Sequence, residues 1–125
     1  MQKVPVVFVT TVMGRVSNGP ALYANLLWKA FRDHDEIDFH IVTPKMNATD
    51  TPIFQSDRIH YSEMGQGSRD LYRLMQEKAL EVCNSHFDQP PLVHGNTAHT
   101  MSLFSNYEGK VVVQVNDYDL SLIHI

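Results

Sequence analysis

An α/β doubly wound fold, a mostly parallel sheet with helices on both faces, is what this sequence predicts. Three observations predict it. Apolar, β-branched runs alternate with helical patterns in the order β-α-β-β-α-β-α-β. The first run, residues 4–11 (VPVVFVTT), is almost continuously apolar, as a strand buried on both faces must be. The chain is 125 residues long, which suits one domain with a real core and no need of a disulfide or metal staple.

The elements follow in order. After the first strand, Gly14 to Pro20 is rich in turn formers, and Asn18-Gly19-Pro20 is a strong breaker that also starts a helix well. Residues 21–32 (ALYANLLWKAFR) read as that helix, with Tyr23, Leu27, Ala30 and Phe31 as its apolar face. A charged turn at 33–36 leads to an alternating strand at 37–43, stopped by Pro44. Residues 45–57 read as a polar loop. Residues 58–64 form a weaker third strand, and Gly65-Gln66-Gly67-Ser68 a turn whose Ser68 can cap the next helix. That helix covers about 69–85, with Leu71, Leu74, Met75, Ala79 and Val82 at helical spacing. Pro90-Pro91 introduces a short strand at 92–94, and Asn96 or Thr97 caps a short helix containing Met101 and Phe104. Residues 111–115 (VVVQV) are the last strand. Right-handed crossovers then gather the strand-to-helix loops at one edge of the sheet, the usual ligand crevice of such folds.

Composition excludes several classes. Hydrophobic residues are 43% and charged residues 19% of the chain, a globular balance and not that of a disordered tail or coiled coil. The net charge of −4 is not that of a nucleic-acid binder. With Cys83 alone there is no internal disulfide or CxxC pair, and its place beside the apolar stripe of the second helix makes it a packing residue. No apolar run is long enough to span a bilayer, and the first residues make a poor signal peptide. The expected setting is soluble and cytoplasmic, so the sequon Asn47-Ala48-Thr49 carries little weight.

Three loops at the expected crevice hold the candidate site residues. Gly14 and Gly19 have the spacing of half a P-loop, but Pro20-Ala21 stands where Lys-Ser/Thr should follow, and there is no GxGxxG. The helix start behind Asn18 and Gly19 still offers free N–H groups to an anion or a sugar hydroxyl. His94, at a strand's carboxyl end before Gly95 and Asn96, has the chemistry to hydrogen-bond a hydroxyl or act as a base. Asn116 and Asp117 follow the last strand, where Asp117 is either a hydroxyl acceptor or a helix cap. Paired-carboxylate catalysis finds no second acid. A metal site from His86, His94 and His99 lacks ligand spacing, and His34, His40 and His60 read as scattered composition.

Taken together, Val7-Phe8-Val9-Thr10, Ser17-Asn18-Gly19-Pro20-Ala21, the helix ending Leu26-Leu27-Trp28-Lys29-Ala30-Phe31, Pro91-Leu92-Val93-His94-Gly95-Asn96 and the segment 109–118 (GKVVVQVNDY) resemble the N-terminal domain of family 4 glycosyltransferases. These are retaining enzymes of the GT-B fold, similar to glycogen synthases and lipid mannosyltransferases. The resemblance spans residues 3–119. It implies a domain that supplies the acceptor side of a cleft, opposite a C-terminal domain that binds the nucleotide-sugar and carries a Glu-x7-Glu motif. It implies that the loop of Gly14, Asn18 and Gly19 approaches the donor phosphate and sugar, and that His94, Asn96, Asn116 and Asp117 line the acceptor side. No cofactor is implied beyond the nucleotide-sugar co-substrate, and the partners are a glycan or lipid acceptor, with peripheral association of the parent at the inner face of the membrane. Asn116 stands where the family usually has a histidine; it can hydrogen-bond but cannot take a proton. Leu22 lies where an arginine is often seen.

Two alternatives keep the fold and change the function: a stand-alone doubly wound module binding a nucleotide, flavin or other small ligand, and a fragment of a GT-B-like sugar epimerase. Residues 1–119 are read as the incomplete acceptor-side domain. Residues 120–125 (LSLIHI) equal one translation frame of a transposon-type sequencing adapter and are read as a non-native read-through tail.

Overall fold

The computed structural model describes residues 2–14, 19–96 and 102–113. Five strands, β1 (Val4–Val9), β2 (Ile37–Pro44), β3 (Ile59–Ser62), β4 (Leu92–Gly95) and β5 (Val111–Val113), form one sheet in the order β3-β2-β1-β4-β5. Every neighbouring pair is parallel. Helices α1 (Gly19–Phe31) and α2 (Ser68–Ser85) lie on opposite faces, giving the expected Rossmann-like, doubly wound α/β fold.

The pleat sorts side chains by parity. Val7 and Val9 of β1, Val42 of β2 and Val93 of β4 pack with Met75, Ala79, Val82 and Cys83 of α2. Phe8, Phe39, Ile41 and Ile59 point the other way and pack with Ala24 and Trp28 of α1. Two cores thus flank one sheet, which is why β1 reads as apolar without alternation.

Several local expectations change. β1 stops at Val9, because the Thr10 hydroxyl donates to Val12 O at 2.7 Å and turns the chain there. On α1 the fully buried residues are Ala21, Ala24 and Trp28, with Tyr23, Leu27 and Phe31 half-buried beside them. Ala30 is exposed: a 21-24-28-31 row meets the sheet, and position 30 falls outside it. Ser68 does not cap α2. Gly67 holds the N-cap position at φ +95°, a conformation open to glycine, and Asp70 closes the turn by accepting the Gln66 N–H at 3.0 Å. Gln76 is buried, a polar break in the apolar stripe, and its Oε1 accepts the Leu103 N–H at 2.5 Å.

The polar loop at 45–57 is ordered. It makes 3₁₀ turns at Lys45–Asn47 and Pro52–Phe54, with Asn47 and Phe54 buried. The indole N–H of Trp28 donates to Ile53 O at 2.6 Å, and Arg32 donates to the same carbonyl at 3.1 Å. Residues 102–104 form a 3₁₀ turn, while Thr97 and Met101 of the expected helix lie outside the described residues.

Candidate functional site

Strand order reverses between β1 and β4: β2 and β3 lie to one side of β1, and β4 and β5 to the other. The chains leaving β1 and β4 therefore diverge to opposite faces and open a crevice at the carboxyl edge. The loop after β1, the start of α1 and the end of β4 meet there.

Asn96 joins all three. Its backbone N–H donates to Val9 O at 2.9 Å, and its carboxamide nitrogen donates to Thr10 Oγ1 and to Pro20 O, both at 2.9 Å. The residue is 1% exposed, so its donor side forms the floor of the crevice and is already committed to the protein. Gly14 takes φ +79°, a conformation that favours glycine, while a Cβ there would make only an ordinary contact, 3.4 Å from Asn47 O. Asn25 of α1 clamps it on both sides, accepting the Gly14 N–H at 2.8 Å and donating to Gly14 O at 2.7 Å. Gly19 begins α1, and a Cβ on it would meet nothing within 4 Å among the described residues. Asn18, Asn116, Asp117 and His99 lie outside the described residues.

His94 points to the α1 face, as parity requires one residue after Val93. It packs edge-on against Phe8 with ring centroids 4.9 Å apart, and Tyr23 stands 6.1 Å away. Its Nε2 is buried with no hydrogen-bond partner among the described residues. Burial holds its pKa below the usual imidazole value, so the ring is neutral near pH 7. A neutral ring with an unused nitrogen can accept from, or donate to, one hydroxyl.

A groove of about 570 Å³ opens at the same edge, displaced toward β2 and lined by Met13, Asn47, Thr49, Asp50, Phe54 and Tyr61. Sequence reading missed it, because the 45–57 segment looks like a connector. Asn47 ties this groove to the crevice, donating to Thr11 O at 2.8 Å and to Thr43 Oγ1 at 2.6 Å. The residue is 5% exposed and its amide nitrogen makes both bonds, so Asn47 is a closed sequon in the folded chain.

The histidines are less scattered than the sequence suggests. His40, His60 and His86 touch one another on the α2 face, whereas His94 lies on the opposite face. The period-two placing of Asp38 and His40 was readable; the parallel register that brings His60 beside them was not. Among the described residues, no group of three or more His, Cys, Asp or Glu side chains is arranged to hold a metal ion. Nor, among them, is any helix long and apolar enough to cross a membrane. Cys83 is buried in the α2-side core, and burial pushes its thiol pKa up, as expected of a packing residue. Protein-family models, curated proteins and solved structures were all compared with the chain, and none matched.

Proposed function

We propose that this chain is the acceptor-side half of a retaining, GT-B-type glycosyltransferase that moves a sugar from a nucleotide-sugar to a glycan or lipid acceptor. The observation that carries the reading is the crevice at the strand-order reversal, where Gly14, the helix start at Gly19, Asn96 and the neutral His94 converge. The sequence resemblance supplies the chemistry. The helix start at Gly19 faces the donor phosphate, since free N–H groups and the helix dipole favour an anion there. His94 Nε2 takes one acceptor hydroxyl, and Asn96 fixes the loops that frame it. The groove beside Phe54 and Tyr61 gives a sugar ring an aromatic wall with amide and carboxylate groups at its rim. The nucleotide-sugar site belongs to a second domain beyond these 125 residues, and the setting is the cytoplasm or the inner membrane face.

Amide-shift mapping of the 125-residue chain tests this. Oligosaccharides and glycolipid headgroups at millimolar concentration should move the amides of residues 10–14, 19, 21 and 94–96. Nucleotides alone should bind weakly, and the chain alone should turn nothing over. Tight nucleotide or flavin binding without any sugar response replaces this reading with the stand-alone module. The parent gene, read past the codon for Asp119, should continue into a second α/β domain with Glu-x7-Glu.

A further inference from the structure

Three imidazoles from three elements close on one another where β2, β3 and the end of α2 meet. The rings of His40 and His60 lie nearly parallel, with centroids 5.2 Å apart and His40 Nδ1 2.9 Å from His60 Nε2. His86, the C-cap residue of α2, stands 4.9 Å from His60 and 5.9 Å from His40, ring to ring. Phe87 covers His40 edge-on at 4.9 Å.

Proton positions follow from Asp38. An ionised carboxylate only accepts, so His40 Nε2, 3.1 Å from Asp38 Oδ1, carries the hydrogen. The neutral His40 ring then accepts at Nδ1, and His60 Nε2–H donates to it. One proton added to the pair leaves this chain intact, because the charged ring donates and the neutral one accepts. A second must go to the one facing nitrogen that still accepts, and it then meets a nitrogen that already carries a hydrogen. Two cations then oppose each other at hydrogen-bond distance, and the bond cannot survive.

We propose that His40, His60 and His86 form an acid-sensitive latch that ties the last turn of α2 to the β2–β3 side of the sheet and lets it open when the His40–His60 pair takes a second proton. Every charged group facing the cluster bears on it. Asp38 and Asp57 favour the charged rings, while Arg58 and Lys78 oppose them. Lys78 is itself paired with Glu81 at 3.5 Å. Lys3 and Asp88 line a groove of about 590 Å³ that already runs past Asp38 and His86. Burial lowers the pKa of His40 and takes that of His60 down to about 4, so the latch is closed at neutral pH. The end of α2 is the outer side of the contact: Asn84, Ser85 and His86 are exposed, whereas β2 is held between β1 and β3.

Amide hydrogen exchange between pH 7.5 and 4.5, corrected for intrinsic rates, reads the opening. Residues 82–86 and 59–62 should lose protection at least about tenfold more than residues 7–9 and 93. His60→Gln keeps an N–H toward His40 but cannot be protonated, and should abolish the selective loss. His86→Gln, at an exposed position that leaves the core untouched, should move the opening to lower pH by about half a unit; it decides the matter if His60→Gln does not fold. Uniform loss of protection across all strands, or selective opening unchanged in the variants that fold, overturns the latch.

Discussion

Asn96 holds three chain segments with one side chain and one backbone N–H, and that double use separates architecture from ligand contact at the crevice. Asn96→Ala strips the donors from Thr10 Oγ1 and Pro20 O. Leaving buried groups unsatisfied costs roughly 1–3 kcal/mol, or about 5–15 °C in melting temperature for a domain of this size. A variant that melts with the parent would mean that the carboxamide serves only a ligand. At His60 the prediction concerns pH. Its folded pKa of about 4 lies below the ordinary value of 6.5, so the unfolded chain binds more protons between the two. The stability from keeping this ring neutral is therefore complete above about pH 6.5 and is lost as the pH falls toward 4. Discounted for solvent screening, the loss should be of order 2 kcal/mol in urea titrations, and His60→Gln should flatten it. The sequence reading took His40 and His60 as scattered composition, and no spacing rule links residue 40 to residues 60 and 86, because that contact depends on strand register and on where α2 ends.

The segment 45–57 shows how an element can hide in a sequence. Its Thr, Asn and Asp residues look like solvent-facing loop, and the strands and helices around it were legible to within a few residues. What orders it comes from elsewhere in the chain. The Trp28 indole and Arg32 both hold Ile53 O, while the guanidinium carbons of Arg32 and Arg58 sit 5.7 and 5.5 Å from the centre of the indole ring. Trp28 itself was legible only as helix; that it is fully buried beside Phe39, with its N–H spent on a loop, required the fold. Trp28→Phe keeps an aromatic ring but removes the 2.6 Å bond and part of the cation–π surface. A cost of about 1–3 kcal/mol is expected. Amide exchange should quicken in residues 49–56 and leave α2 at its parental rate when the two are compared well below the global unfolding limit. Equal acceleration in α2 would show that the indole supports the whole core and not this segment.

At the scale of the whole molecule, the order of strands and helices was enough to place a core on each side of the sheet, since only a strand covered on both faces can be as apolar as β1. The outer surface is set differently, by what each core leaves uncovered. Burying the 21-24-28 row of α1 turns Leu22 and Leu26 outward, one helical turn apart and 54% and 65% exposed. Leu103 and Val112 are also exposed, each at 43%. Such apolar surface promotes association when it is contiguous, and two leucines at i and i+4 on one helix are contiguous. The chain should therefore sediment with a concentration-dependent mass. The double variant Leu22→Glu/Leu26→Glu should be monomeric and melt within about 4 °C of the parent, because surface changes away from the core cost little. A parent that stays monomeric at every concentration would show that this helix face is too small to associate. A double variant that melts far lower would show instead that the two leucines belong to the α1 core, which would move the edge of that core past the row that the pleat and the helix period define.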